Sequence, residues 1–257
     1  MKALLFDLDN TLVECGQYYL DAQDQFVAAV HRRTALDKDL IFKILGAIDV
    51  TCCSLPDGFS RSRFPRSFQA ASLALDSIAG LPPSMSFAQQ MYETGDAVFS
   101  APYPMYEGVP ELLDALLSAK WKLIMVTKGE PEVQHRKVRI NKLGSFFHYD
   151  DIYPVLNKNE ALFTKLAKDY NLDVRNSWMI GDSLKDDIGP AKAAGFNTVF
   201  VSSKTGRWAY EDQCHVPDLT VYSVTELLQY QGFFQNGSSN FTGRAPDTSA
   251  SRTALIA

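Results

Sequence analysis

The chain has 257 residues, of which 46% are hydrophobic and 21% are charged, and its formal net charge at pH 7 is −5. This length suits one large α/β domain or a core with an inserted lid, and the acidic balance argues against a dedicated nucleic-acid binder, which would carry a basic patch or stripe. No apolar stretch approaches the roughly 18 residues needed to span a bilayer, and the apolar N-terminal run is cut by Asp7, so we expect a cytoplasmic protein with no membrane or nucleic-acid partner.

The first predicted element is a short apolar run at residues 2–6, which is too short for a helix and suits a buried parallel strand. The stretch that follows, residues 16–101, shows no convincing strand. Apolar residues recur there at helical spacing in three segments, 18–32, 36–48 and 87–99. We therefore predict a helical cap over residues 16–101, inserted at the carboxyl end of the first strand, where α/β proteins bind their ligands.

Within this cap, the segment SRSRFPRSF carries three arginines, Arg61, Arg63 and Arg66. A cluster of charge of this kind is typical of a solvated basic loop. Contact between these arginines and an anionic leaving group is the alternative.

After the cap, strands and helices alternate. Apolar runs predict four more strands, at 123–127, 152–156, 177–181 and 198–202. Helical patterns accompany them at 110–119, 130–143, 159–170 and 187–194. This alternation predicts an α/β fold, a doubly wound parallel sheet with a Rossmann-like core, formed by residues 1–15 and 102–231. The remainder, 232–257, is rich in Gly, Ser, Asn and Thr, and we predict that it is a disordered tail.

The sequence Asp7-Leu8-Asp9-Asn10-Thr11 directly follows the first predicted strand. Successive strand residues point to opposite faces, so Asp7 and Asp9 can share a side where the strand ends. Crowded carboxylates repel each other, and a divalent cation removes this conflict. Asp7, ionised, can then attack phosphorus as a nucleophile, while Asp9 gives a proton to the leaving oxygen and later takes one from water. The alternative is an Asp-rich turn that caps a helix.

A second acidic motif, Gly181-Asp182-Ser183, also follows an apolar strand run. Hard carboxylate oxygens at a strand end suit Mg²⁺, which is commonly bound by one or two carboxylates, waters and substrate phosphate oxygens. Asp182 is the candidate direct ligand. Asp187, or alternatively its neighbour Asp186, would support the ion from behind or through a water. The alternative function of Asp182 is to cap the following helix.

Two further strand ends carry groups that could bind a phosphate. Thr127, Lys128 and Gly129 form a strand-to-helix turn, where a hydroxyl and free backbone N–H groups make a phosphate cradle. Lys158 follows the next strand and could neutralise both Asp7 and the transferring phosphoryl group. Lys137 and Lys142 compete with Lys158 for this role.

The four motifs, DLDNT, VTKG, Lys158 and GDSLKDD, resemble the motif series of the haloacid dehalogenase-like hydrolase superfamily, over residues 1–230. The helical insert is similar to that superfamily's first class of cap. The resemblance implies that Asp7 is the nucleophile, that Asp9 is the acid/base, and that Mg²⁺ is held by Asp7, the backbone carbonyl of Asp9, and Asp182. It also implies Mg²⁺-dependent hydrolysis of a small phosphorylated metabolite through an aspartyl-phosphate. Lys185-Asp186 stands where many relatives carry an Asn, so both Asp186 and Asp187 remain candidates for supporting the metal.

Three other functions are compatible with this scaffold. A 2-haloacid dehalogenase also uses an Asp nucleophile, but halide leaves without a proton and needs no metal, so Asp9 and Asp182 would then have no purpose. A phosphomutase would pass the same intermediate to a second hydroxyl. A non-catalytic binding module would be favoured by loss of any of Asp7, Asp9, Lys158 or Asp182, and all four are present.

Overall fold

The computed structural model describes residues 1–53, 60–202 and 215–233. Its six strands form one sheet in the order β3-β2-β1-β4-β5-β6, and every neighbouring pair is parallel. The strands are β1 (Ala3–Phe6), β2 (Lys122–Lys128), β3 (Ile152–Val155), β4 (Trp178–Gly181), β5 (Asn197–Val201) and β6 (Leu219–Val221). The doubly wound parallel sheet predicted from the sequence is therefore confirmed. Strand β6 was not predicted, because three residues are too few to show a period.

Strand β1 lies inside the sheet, and all four of its side chains are buried. Phe6 at its end pairs with Met125 of β2 and with Ile180 of β4. The N–H of Asp7 donates to the carbonyl of Ile180 at 2.9 Å, which extends the pairing one residue beyond the strand. This register brings the carboxyl ends of β1, β2 and β4 to one edge of the sheet, where α/β folds bind ligands.

Eight α-helices accompany the sheet in the described residues: α1 (Gly16–Thr34), α2 (Lys38–Cys53), α3 (Arg63–Ile78), α4 (Met85–Asp96), α5 (Val109–Ser118), α6 (Pro131–Ile140), α7 (Glu160–Asp169) and α8 (Gly189–Ala193). Leu112 of α5 and Val138 of α6 belong to the core on one face of the sheet, together with Phe6. Phe163 of α7 and Ala191 of α8 cover the opposite face. Both faces are thus buried, as a parallel sheet requires.

Helices α1 to α4 all lie in the chain between β1 and β2. Three of them match the helices predicted in this segment, with ends shifted by two to five residues. Helix α3 was not predicted, because its first turn contains Pro65 and a cluster of arginines. A proline is tolerated in the first turn of a helix, where its missing N–H would have no intrahelical partner. Helix α3 buries Phe64 and Phe68 against α1, with the rings of Phe26 and Phe68 4.9 Å apart.

The expectation of a solvated basic loop at Arg61, Arg63 and Arg66 is therefore only partly met, because Arg61 lies in a turn and both Arg61 and Arg66 are exposed, whereas Arg63 and Arg66 belong to a helix. Arg63 lies in α3 and forms an ion pair with the buried carboxylate of Asp49 in α2. Arg61 pairs with Asp96 of α4, with 3.0 Å between Nη2 and Oδ2. These two arginines tie the helices of the insert together, and their guanidinium groups already have carboxylate partners within it.

The chain enters and leaves the helical insert along two segments that are hydrogen-bonded to each other. The N–H of Glu14 donates to the carbonyl of Pro104 at 2.8 Å, and the N–H of Tyr106 donates to the carbonyl of Leu12 at 3.1 Å. Arg136 of α6 donates to the carbonyls of Ser100 and Ala101 at 2.9 and 3.0 Å. The division into a core and a cap at residues 16 and 101 stays a prediction.

The chain remains packed for two residues beyond the predicted start of the tail. The ring of Phe233 is buried beside Trp121 and Trp178, and the indole N–H of Trp121 donates to the carbonyl of Phe233. Apolar burial explains why Phe233 belongs to the fold rather than to the polar stretch that follows it. Residues 234–257, the remainder of the predicted tail, lie outside the described residues. Among the helices described, none has both the length and the apolar content that crossing a bilayer demands.

Candidate active site

Side chains from three strand ends meet at the carboxyl edge of the sheet. The ammonium of Lys158, after β3, lies 2.5 Å from Oδ1 of Asp7, after β1, and 2.5 Å from Oδ1 of Asp187, after β4. One carboxylate oxygen from each of Asp7, Asp182 and Asp187 lies within 4.8 Å of the others. All four side chains are buried. The structure therefore brings together Asp7, Lys158, Asp182 and Asp187, all of which were candidates from the sequence.

The ionisation of this cluster is shifted by its burial. Burial raises the pKa of Asp7 from 3.8 to about 7, with further increases from Asp187 and Asp9, against the lowering effect of Lys158. Burial and the charge of Asp7 raise the pKa of Asp182 well above its ordinary value. Burial alone would lower the pKa of Lys158, but Asp187 and Asp7 raise it above its ordinary value. The ammonium is thus fixed in its charged form, while the carboxylates compete for one cation.

The donor set fits a magnesium ion. Three buried carboxylates share one ammonium, so the cluster carries excess negative charge when ionised. Burying unpaired charge is costly, and a divalent cation would offset that cost. The ligand atoms offered are hard carboxylate oxygens, which Mg²⁺ prefers over nitrogen or sulfur. Asn10, in the left-handed conformation at φ 60°, lies beside Asp182, and a hydrogen bond from its side chain opposes the increase in the pKa of Asp182.

The structure separates the roles of Asp186 and Asp187. Asp187 lies in the carboxylate cluster, and its Oδ2 also accepts the N–H of Ser183 at 3.1 Å. Asp186 is turned toward β2, where its Oδ2 lies 2.8 Å from the ammonium of Lys128. Both belong to a π-helical turn, Leu184–Ile188, which precedes α8. The backbone of Gly181 packs directly against Asp187, since a Cβ there would lie 2.3 Å from Oδ2.

Asp9 does not contact Lys158. Its two oxygens instead accept from the ammonium of Lys137 in α6, at 2.8 and 2.7 Å. The Nε2 of Gln134, one turn earlier in α6, donates to Oδ2 of Asp9 at 3.1 Å. Lys137 competed with Lys158 for contact with Asp7 in the sequence analysis, and the structure gives that contact to Lys158. The acid/base candidate and the nucleophile candidate therefore have separate lysines.

The three residues predicted to bind phosphate, Thr127, Lys128 and Gly129, have different surroundings. The buried hydroxyl of Thr127 accepts from Gln134, so its own proton can still be donated. Lys128 extends to Asp186. The N–H of Gly129 donates to the carbonyl of Val155 at 2.8 Å, so this N–H is already used within the fold. Gly129 has φ 146°, a backbone conformation that favours glycine.

The sequence analysis assigned no role to Gln134, Asn10 or Lys137 in holding Asp9 or Asp182. The sequence carried a signal for each of the three. Gln134 and Lys137 are three residues apart in a helix that starts directly after β2, so they share one face of it near the site. For Asn10 the signal was its place inside the first motif.

Comparisons with known proteins agree with this architecture. A family model described as haloacid dehalogenase-like hydrolase matches residues 1–195. Glyceraldehyde 3-phosphate phosphatase from Pyrococcus abyssi is 25% identical to the chain, covering 78% of it and 81% of the relative. The enzyme of the same name from Pyrococcus furiosus is 26% identical, covering 89% and 91%. The solved structure of a haloacid dehalogenase-like family hydrolase from Xanthomonas campestris superposes with a TM-score of 0.70 at 21% identity, covering 91% and 92% of the two chains.

Proposed function

This chain belongs to the haloacid dehalogenase-like hydrolase family, and from that premise we propose that it is a magnesium-dependent phosphatase of small phosphate monoesters. The observation that carries the proposal is the pairing of Asp7 with Lys158 beside a buried carboxylate cluster, while Asp9 is held separately by α6. A nucleophile, a cation, metal ligands and a separate acid/base are the groups that phosphoryl transfer through a covalent intermediate requires.

In the first step, a carboxylate oxygen of Asp7 attacks phosphorus and the bond from phosphorus to the ester oxygen breaks. Asp9 donates a proton to that oxygen, which leaves as an alcohol. In the second step, Asp9 takes a proton from water, the water oxygen attacks phosphorus, and the bond to Asp7 breaks to release phosphate. Lys158 holds the attacking carboxylate, and the hydroxyl of Thr127 is a hydrogen-bond donor for the phosphoryl oxygens.

Asp7, Asp182 and the backbone carbonyl of Asp9 would hold Mg²⁺, with Asp187 supporting them. When bound, the ion would neutralise charge on the phosphoryl oxygens. The chain's own contribution is to bury the carboxylates and to supply a hydrogen bond from Asn10 to Asp182.

Three observations favour a phosphatase over the other functions considered. A dehalogenase has no use for a second acid held as Asp9 is, nor for a cluster of three carboxylates. A binding module has no use for a nucleophile paired with a buried lysine. The phosphatase names of the two Pyrococcus relatives agree with the chemistry of the site. A phosphomutase would need a second substrate hydroxyl in place of water, and release of inorganic phosphate distinguishes the two.

The substrate class that we propose is a small phosphorylated metabolite, with three-carbon sugar phosphates as the first candidates because of those relatives. The cytoplasm, where such metabolites occur, is the proposed location. We propose no nucleic-acid or membrane partner.

The decisive experiment is Asp7→Asn. The amide is almost isosteric but cannot form the acyl-phosphate, so we expect phosphate release from glyceraldehyde 3-phosphate or p-nitrophenyl phosphate to fall by at least about 1,000-fold. Asp150→Asn is the matched control, because Asp150 is highly exposed and lies outside the site. Activity of Asp7→Asn near that of the unmodified chain would exclude Asp7 as the nucleophile.

A further inference from the structure

We propose that Lys137 and Gln134 form a clamp that positions the carboxyl group of Asp9 for proton transfer. The inference rests on the proposed function, and it assigns to α6 the orientation of the acid/base residue. Lys137 and Gln134 are positioning residues, since they act through Asp9 rather than on the substrate.

Lys137 is committed to Asp9 among the described residues. Its side chain is 2% exposed, and its ammonium bonds both carboxylate oxygens of Asp9. The other neighbours of this ammonium are the ring of Tyr103, 4.7 Å from the ring centroid, and the sulfur of Cys15 at 3.8 Å. A buried ion pair is weak support for stability, because desolvation offsets much of the Coulomb attraction. Its value here is geometric, since both carboxylate oxygens bond one buried ammonium.

Gln134 ties the same carboxylate to the phosphate side of the site. Its Nε2 donates to Oδ2 of Asp9 and to the hydroxyl of Thr127. Its side chain is buried and packs on the backbone of Gly129, where a Cβ would lie 3.2 Å from Cδ of Gln134. A larger residue at position 129 would push this amide away. The clamp therefore fixes the position of the Asp9 carboxylate relative to the hydroxyl of Thr127, which is predicted to bind the phosphate.

The hydrogen bonds distinguish the two oxygens of Asp9. Within the described part of the chain, Oδ2 accepts from both Lys137 and Gln134, whereas Oδ1 accepts from Lys137 alone. Oδ1 therefore keeps more free acceptor capacity, and we assign to it the exchange of the proton with the leaving oxygen and with water. The side chain of Asp9 is 25% exposed, so a clamp is needed to hold one rotamer at the open side of the site.

The test uses the two half-reactions. The value of kcat/KM reports events up to phosphoryl transfer to Asp7, which needs a proton for an alkyl leaving group but not for p-nitrophenolate. In Lys137→Met we expect kcat/KM for an alkyl phosphate to fall roughly ten- to a hundredfold. For p-nitrophenyl phosphate kcat/KM should change less than about threefold, while kcat falls because Asp9 must still activate water. A general structural defect would lower kcat/KM for both substrates to the same degree.

Three further variants complete the test. Arg139→Met removes an exposed cation from the same helix and should leave kcat/KM unchanged for both substrates. Gln134→Leu, like Lys137→Met, should lower kcat/KM more for the alkyl than for the aryl phosphate, but to a smaller degree. It provides the test if Lys137→Met does not fold. Lys137→Arg keeps a donor toward Asp9 and should recover part of the alkyl-phosphate activity.

Equal losses of kcat/KM for alkyl and aryl phosphates in both Lys137→Met and Gln134→Leu would overturn the clamp. Unchanged kcat/KM for the alkyl phosphate in both variants would overturn it as well. Either result can occur while Asp7→Asn is inactive, so the clamp can fail without the proposed function. If Asp7→Asn were itself active, the proposed function would fail first.

Discussion

At the scale of single residues, the described part of the site has fewer lysine ammonium groups than carboxylates. Lys158 bonds Asp7 and Asp187, Asp9 has its own lysine, and among the described residues no ammonium pairs with Asp182. Burial makes every unbalanced charge expensive, and it raises the pKa of Asp7 and of Asp182, so that both carboxylates bind protons more readily. A bound divalent cation would replace those protons.

This exchange gives a prediction about pH. The pKa of Asp7 is raised from 3.8 to about 7 in the folded protein without metal. Between these values the folded state holds a proton that the unfolded chain does not, so the free energy of unfolding decreases as pH rises through this window. Metal binding must expel that proton below about pH 7. We therefore expect Mg²⁺ to raise Tm more at about pH 8 than at about pH 5.5.

The measurement is thermal unfolding with EDTA or with saturating Mg²⁺ at each pH, accompanied by activity at the higher pH. EDTA should abolish phosphate release and Mg²⁺ should restore it, whereas Ca²⁺ should serve poorly because its coordination is larger and looser. Asp182→Asn should lose most of the Mg²⁺-dependent rise in Tm. Full phosphate release by exhaustively chelated protein would contradict the requirement for a metal.

At the scale of elements, the turn after β4 decides which acid joins the site. The π-helical turn at Leu184–Ile188 points Asp187 into the cluster and Asp186 toward Lys128. Gly181 makes this turn possible, because any side chain there would overlap Asp187. The local backbone therefore matters as much as the two carboxylates.

Substituting that glycine tests the point. In Gly181→Ala the new Cβ would lie 2.3 Å from Oδ2 of Asp187, so Asp187 must move and its contact with Lys158 weakens. We expect kcat/KM to fall at least about tenfold and the Mg²⁺-dependent rise in Tm to shrink. Gly144→Ala is the matched control, since its Cβ would have nothing within 4 Å. If Gly181→Ala were as active as Gly144→Ala, the tight packing of Gly181 on Asp187 would not be required for activity.

At the scale of the whole molecule, the helical insert contacts the rim of the site. The N–H of Arg61, just before α3, donates to Oε1 of Glu130 at 2.9 Å, directly after Gly129. The hydrogen-bonded segments around Glu14 and Pro104 also connect the insert to the core. We expect the insert to close over Asp7 when substrate binds and to exclude water.

An enclosed site predicts selectivity for small substrates. We expect kcat/KM for small sugar or aryl phosphates to exceed that for a phosphoserine peptide by at least about a hundredfold under saturating Mg²⁺. Steady-state phosphate release from both substrates measures this ratio. Glu130→Ala removes the contact with Arg61 and should reduce the ratio of the two kcat/KM values, because the peptide could then enter the site. Comparable values for peptide and small ester in the unmodified chain would show that the insert does not enclose the site.

The sequence by itself determined the parallel sheet and the approximate positions of the strands that carry the site. Residues 2–6, 123–127, 152–156 and 177–181 are short apolar runs that suit strands inside a sheet covered on both faces, and polar groups follow each run where the strand ends. These are local properties, since the alternation of side chains and the length of a run act over a few residues. They sufficed to name Asp7, Lys158, Asp182 and Asp187 as neighbours.

Only the tertiary structure decided which lysine serves which carboxylate. Lys137 and Asp9 are 128 residues apart, and Lys158 and Asp7 are 151 apart, so no local pattern links either pair. A flexible lysine side chain can reach several acids, and the rotation of α6, fixed by the packing of Val138 against the sheet, selects Asp9. The choice of Asp187 over Asp186 is of the same kind, because neighbouring residues of identical chemistry are distinguished only by the backbone of the turn that carries them.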